Sequence, residues 1–320
     1  MLIRFAIETK AIDSSATRAH IKRLLDQWEL GILVYPRRGD PALWNTISGL
    51  APTARKLWKE TWEKVVKNNG NVYRWVPGHG PAFEWNKIDA PEALALAHNE
   101  FEVAVLEESR AVALEVPDGE SRRCGKVEGI RLCDVDVSEE FTDSRTLGTE
   151  SIDIGDSIQD IWSSRFQRFA AHSRRVVVVD QYAVQKNNLD GVLRLLRLLD
   201  GDAKRCGVTI YSCLDRDGRG AGRVEHSIRS MASRLGGSGV AWIDVRLFHG
   251  KEFKVPAHDR HLRFDNGVFR IGRGMRVFEH PHTKEATDVT FVVLKPGTRD
   301  EKEVNLDRSA KMVHGFWVSV

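Results

Sequence analysis

The chain has 320 residues, of which 42% are hydrophobic and 29% charged, with a formal net charge of +3. These values exclude a largely disordered protein, and the length suits two domains that each bury a core. So small a global charge neither demands nor excludes a polyanionic partner, so the local charge distribution has to decide. Cys124, Cys133, Cys206 and Cys213 show no Cys-x-x-Cys spacing and no neighbouring His at metal-ligand distance. They are expected to be free thiols, and nothing in the chain asks for a metal or another cofactor. Met1 to Ala6 lacks a signal-peptide core, and no later run approaches about 18 uninterrupted apolar residues, which implies a cytoplasmic protein with no transmembrane segment.

In chain order, Leu2 to Ile7 reads as a strand, and Ser15 or Thr17 as the cap of a helix running to Trp28, which Gly31 stops. Ile32 to Tyr35 is a buried strand, Thr53 to Val66 an amphipathic helix, and Pro77 to Pro81 a loop. Pro91 opens a helix through about Glu108, and Ala111–Val116 and Gly129–Val137 are expected strands. Ser138 to Asp156, rich in acidic residues, Ser and Thr, is the expected linker. The reading is therefore α/β with two domains, residues 1–148 of no recognised family and residues 149–320. In the second, strand 175–182, helix 188–200, strand 207–213, helix 222–235 and strand 240–248 alternate as βαβ units. Hairpin strands 257–264 and 268–271, and strands near Asp288–Leu294 and Gly315–Val320, complete a mixed sheet with flanking helices.

The stretch from His258 to Gly274 carries the chemistry. Asp265-Asn266-Gly267 bears the Asn-Gly signal of a tight hairpin, and alternation on a strand puts His258 and Arg260 on one face. An imidazole can attack phosphorus or move a proton, a guanidinium can hold two phosphate oxygens, and a carboxylate, here Asp265, can orient the imidazole. Gly272-Arg273-Gly274 follows, a turn whose backbone N–H groups can approach an anion. Lys254, Arg260, Arg263, Arg270, Arg273 and Arg276 stand against only Asp259 and Asp265, a local basic excess.

This block resembles the His-x-Lys-x-x-x-x-Asp signature of the phospholipase D superfamily, with His258 and Asp265 at the family spacing and Arg260 in place of the lysine. It is more similar still to the phospholipase-D-like C-terminal domain of the MIT-domain cytokinesis proteins, which has a similar His-Asp-Arg strand, an Asn-Gly turn and an Ile-Gly-Arg-Gly run. The likeness extends upstream through the helix Ser157 to Phe169, the strand Val176 to Tyr182 and the Leu-rich helix after it, covering roughly residues 155–295. No MIT helical bundle precedes it. The resemblance implies a phospholipase-D-like second domain with His258 and Asp265 in the catalytic positions and Arg260, Asn266, Gly272, Arg273 and Gly274 around the phosphate. Superfamily enzymes use two such signatures, and this chain has one. His20-x-Lys22 and His172-x-Arg174 miss the spacing to their carboxylates, Asp26 and Asp180. Either two His258 residues meet in a homodimer that acts as a phosphodiesterase or nuclease, or the domain binds without cleaving. A guanidinium differs from an ammonium in shape and hydration, and Arg273 and Met275 replace the Ser and Asn that usually follow the family glycine; both favour binding.

Three other groups compete. Asp134 and Asp136 alternate on an expected strand and would suit Mg²⁺ if further carboxylates converged, although solvated acids are the commoner case. Trp44, Trp58, Trp62, Trp75 and Trp85 could stack on bases, but Trp58 and Trp62 at helical spacing suit a core. Asp215 to Gly222 is a Gly-rich strand-to-helix loop without the Lys-Ser/Thr of a P-loop. The resulting reading is a phosphodiester-recognising protein whose partner is nucleic acid ahead of anionic phospholipid. A bacterial defence setting rests on analogy alone.

Overall fold

Apolar runs in the first half build a parallel sheet. The computed structural model describes residues 2–12, 17–27, 31–35, 42–62, 75–77, 83–185, 188–203, 205–214, 220–236, 239–253, 260–294, 298–309 and 311–320. Two compact units result, Met1–Thr146 and Leu147–Val320. The first runs β1 (Ile3–Ile7), α1 (Arg18–Gln27), β2 (Gly31–Tyr35), α2 (Ala42–Gly49), α3 (Pro52–Trp62), β3 (Trp75–Pro77), α4 (Pro91–Leu96), β4 (Val103–Leu106), α5 (Glu108–Ala113), β5 (Arg122–Cys124), β6 (Val127–Arg131) and α6 (Glu139–Thr149). The strand order is β3-β2-β1-β4-β6-β5, antiparallel only between β5 and β6. Phe5, Leu24, Leu33, Ile47, Trp58, Val105 and Phe141 are buried in its core.

Several expectations for this half need correction. The helix from Pro91 ends at Leu96, and Val103–Leu106 is instead a strand with every residue buried, as an apolar run between two parallel neighbours should be. Residues expected as a strand at 111–116 begin within α5. Strand β6 stops at Arg131, and Leu132–Val137 turns as a 3₁₀ helix. The expected linker contains α6. Its free N-terminal N–H groups are satisfied: Phe141 N–H donates to Ser138 Oγ (3.2 Å), and Glu139 and Glu140 N–H donate to the buried Glu128 carboxylate (2.8 and 3.1 Å). Helix α2 was not expected at all.

The second unit contains α7 (Ile158–Ile161), a π-helical turn at Trp162–Phe166, α8 (Gln167–His172), β7 (Arg175–Val179), α9 (Leu189–Asp202), β8 (Cys206–Cys213), α10 (Ala221–Ala232), β9 (Val240–Phe248), β10 (His261–Phe264), β11 (Gly267–Ile271), β12 (Val289–Val293), α11 (Glu301–Ser309) and β13 (Met312–Ser319). Its seven strands lie in the order β12-β11-β10-β7-β8-β9-β13. β7, β8 and β9 are mutually parallel and the rest pair antiparallel, giving the expected α/β mixed sheet with flanking helices. Against one face pack Phe166 and Phe169, which contact Phe264 and Phe269, and Trp162, which contacts Phe264; Phe278 packs on Trp162 and Phe166. The other face carries Val177, Val179, Tyr211, Cys213 and Phe248, joined by Leu306 of α11. The hairpin register differs by one residue from the expectation: Gly267 pairs with Phe264, so Asp265-Asn266 form the turn. Among the described residues no helix is long and apolar enough to cross a membrane.

Candidate functional site

The site begins where the Val-rich run of β7 ends. A parallel strand buried on both faces exposes its chemistry only at its carboxyl end, and the first residue past β7 is Asp180. Its Oδ1 accepts from Tyr182 N–H and its Oδ2 from Met275 N–H, both at 2.9 Å. Burial pushes this carboxyl above its ordinary range, while the two backbone donors and the charge of Arg260 pull the other way.

Antiparallel pairing of β10 with β7 sets His261 opposite Val179, which brings Arg260 alongside Asp180. Arg260 Nε lies 3.6 Å from Asp180 Oδ1, and the guanidinium sits 4.9 Å from the centre of the Tyr182 ring. Among the described residues Nε, though buried, finds no hydrogen-bond partner. Arg260 is thus aimed and held by one buried carboxylate and one aromatic face, with guanidinium hydrogen-bonding capacity to spare.

Gly274 closes the arrangement from below. Its φ is +57°, and a Cβ there would stand 2.1 Å from Asp180 Oδ2 and 2.5 Å from Arg260 Cδ. Only glycine permits both the left-handed backbone and this approach. Beyond the carboxyl ends of β7, β8 and β9 opens a cleft of about 670 Å³, lined by Gln181, Tyr182, Gln185, Cys213, His249 and Lys251 among others. Burial pushes the Cys213 thiol up to about 12, so it serves as wall rather than nucleophile.

The expected site residues divide. Arg260 and Gly274 meet at this edge. His258 and Lys254 lie outside the described residues. Asp265 sits at the opposite end of β10, where its carboxylate accepts from Arg174 N–H (3.1 Å) and Arg175 N–H (3.0 Å) and ties the hairpin to the start of β7. It is a turn residue there, with φ +46°, and four strand residues separate it from Arg260. Asn266 shares that remote turn, its carbonyl accepting from Leu294 N–H. The Gly272-Arg273-Gly274 turn does not offer a row of free N–H groups, because Gly272 N–H donates to Asp288 O, Arg273 N–H to Thr287 Oγ1 and Met275 N–H to Asp180. The Arg273 side chain pairs instead with Glu285 at 2.5 Å.

The basic excess is also smaller than composition suggests, because Arg263 points into the opposite face. There its Nε and Nη2 donate to Glu303 at 2.5 and 2.6 Å, and His261 Nε2 lies 3.4 Å from the same carboxylate. Burial pushes Glu303 up, but the hydrogen bonds from His261 and Arg263 outweigh it and hold the carboxyl at about 2. Asp307, one helical turn on, takes Arg246 and Arg299 at 2.6 Å each and the Tyr211 hydroxyl at 3.1 Å. This network fixes α11, a helix the sequence reading missed; acidic Glu301 and Glu303 in its first turn and Arg308 in its last were its available signal.

Among the described residues, Asp134 and Asp136 have separate partners. Asp134 accepts from Gly119 N–H at 3.2 Å and Asp136 pairs with Arg23 at 3.1 Å. Among the described residues no cluster of three or more His, Cys, Asp or Glu is placed to hold a metal ion. Trp58 is fully buried in the first core. The 215–219 segment lies outside the described residues.

No protein-family model and no curated protein matches the chain. Among solved structures, phosphatidylserine synthase of Haemophilus influenzae Rd KW20 is similar over 59% of this chain, at 11% identity and a TM-score of 0.31. The matched region spans about half (49%) of that protein's length.

Proposed function

We propose that the second unit is a phospholipase-D-like domain that recognises a phosphodiester, with nucleic acid as the polymer, and that Arg260 is its phosphate contact. The observation that carries this reading is the placement of Arg260 at the carboxyl edge of three parallel strands, braced by Asp180 and Tyr182, with its Nε free of hydrogen bonds among the described residues. Lys251 lines the adjoining cleft and extends the cationic surface, with His249 beside it as a hydrogen-bonding group. Gln181, Gln185, His249 and Lys251 share the cleft with Tyr182, groups that can hydrogen-bond a hydrophilic chain and stack a base. Recognition without cleavage is the preferred reading, because a guanidinium tethered to a buried carboxylate clamps a phosphate but makes a poor proton donor.

The test is titration of fluorescent single- and double-stranded oligonucleotides and of anionic liposomes, in parallel, with and without EDTA. Binding of oligonucleotides that weakens steeply with salt supports the reading, since released counterions drive such binding. Binding to liposomes alone moves the partner to lipid, and binding to neither sinks the proposal. Chelator-resistant cleavage that disappears in His258→Asn would replace recognition by catalysis.

A further inference from the structure

A second cleft, of about 250 Å³, adjoins the Gly272–Gly274 turn through Arg273 and is lined also by Arg276, Glu279, His280, Lys284 and Glu285. Two guanidinium groups converge on Glu285: Arg273 Nη1 at 2.5 Å from Oε2 and Arg276 Nη2 at 3.4 Å from Oε1. Arg276 also reaches Glu279 at 3.6 Å, and His280 Nε2 lies 3.4 Å from the same carboxylate. Val277, itself buried, completes the lining, and its neighbour Phe278 packs on Trp162 and Phe166.

The walls are preformed. Thr283 N–H donates to Asp156 O at 3.0 Å, Gly155 N–H to Thr283 O at 2.9 Å, and bridges Ser157↔His282 and Ile152↔Thr287 tie the 279–287 segment to the 150s segment. Two arginines and one lysine line this pocket together with two carboxylates, and the anion that both arginines reach is the protein's own Glu285.

We propose that this cleft is a second phosphate subsite, in which the Glu285 carboxylate occupies the position that a ligand phosphate takes on binding. A carboxylate and a phosphate present similar oxygen pairs to a guanidinium fork, but the phosphate brings more charge and more acceptors, so Arg273 and Arg276 can exchange one for the other. Because Gly274 abuts Arg260 and Arg273 adjoins Gly274, the subsite lies next to the Arg260 site along the same turn. Two adjacent phosphate positions suit a polymer with repeated phosphates rather than a single headgroup. That assignment of the polymer rests on the Arg260 reading; the anion subsite does not.

The experiment is a ³¹P NMR titration with inorganic pyrophosphate, performed in the Arg260→Ala background so that only the second cleft is read. Glu285 and Arg276 side chains are 40% and 47% exposed, so substitutions there leave the fold intact, as circular dichroism would verify. Glu285→Gln removes the competing charge and is expected to tighten pyrophosphate binding about five- to tenfold, whereas Arg276→Ala weakens it by a similar factor. Affinity in Glu285→Gln at or below that of the parent would overturn the proposal. If the Arg260 reading alone fails, Arg260→Ala leaves oligonucleotide binding unchanged while Glu285→Gln still tightens pyrophosphate.

Discussion

Replacing Gly274 by Ala tests whether the Arg260 edge is as closely built as its geometry indicates. At φ +57° an alanine meets the left-handed penalty, about 1–2 kcal/mol. Its Cβ would also arrive 2.1 Å from Asp180 Oδ2 and 2.5 Å from Arg260 Cδ, so the carboxylate or the turn must retreat by about 1 Å. Retreat loosens the 2.9 Å bonds from Met275 and Tyr182 N–H, and a hydrogen bond to a charged group contributes about 1.5–3 kcal/mol. Together these give a loss of about 3–5 kcal/mol in urea unfolding. Gly201→Ala in α9 is the control: nothing lies within 4 Å of its added Cβ, and helix propensity predicts a gain of up to about 1 kcal/mol. A Gly274→Ala loss below about 1 kcal/mol would refute the account of the site as tightly packed around Asp180. Oligonucleotide binding should fall in the same variant, because the substitution displaces Arg260.

Glu303→Gln should cost about 3 kcal/mol in unfolding experiments at neutral pH, since it leaves the buried Arg263 without its carboxylate. Because folding holds Glu303 at about 2 against an ordinary 4.5, its contribution is complete above pH 4.5 and is lost as pH falls toward 2. The wild type should therefore lose stability across that window, and Glu303→Gln should lose less; matching acid limbs would contradict the assignment. Burial raises Asp180 and Asp265, so protonating them works in the opposite direction and shallows both curves equally. Cys213, its thiol pushed up to about 12, should resist maleimide at pH 8 in the native protein while exposed Cys133 reacts more readily, as read by mass spectrometry of labelled peptides; early labelling of Cys213 would mean a more open cleft.

The alternation of strands and helices from Arg175 to Phe248 was legible because β7 is a continuous Val run, β8 is mostly apolar or β-branched, and β9 alternates apolar residues with Asp244 and Arg246. The same logic misled between Pro91 and Val116. Val103-Ala104-Val105-Leu106 reads equally as helix or buried strand, and the periodicity of a short apolar run cannot separate the two. The expected linker failed for a different reason: Ser and acidic residues also make helix starts, and here Ser138 caps α6, Glu139 and Glu140 open its first turn, and Glu128 completes the cap. At the site, Arg260 and Gly274 were legible from the His-Asp-Arg and Gly-Arg-Gly runs. Asp180, which contacts both, fell inside the expected strand 175–182 and was weighed only as an ill-spaced carboxylate after His172-x-Arg174; its partnership with Arg260 arises from the antiparallel register of β10 on β7. Asp265 fitted a motif spacing, yet spacing along a strand says nothing about which end faces the cleft.

The central claim, that Arg260 contacts phosphate, is tested most directly by the salt dependence of oligonucleotide binding in Arg260→Ala. Affinity measured by fluorescence polarisation at several salt concentrations gives a slope of log K against log salt that counts neutralised phosphates. The account predicts that Arg260→Ala weakens binding to all sequences and lowers that slope by about one contact. Unchanged affinity and slope would contradict it and leave Arg260 as a structural partner of Asp180 and nothing more.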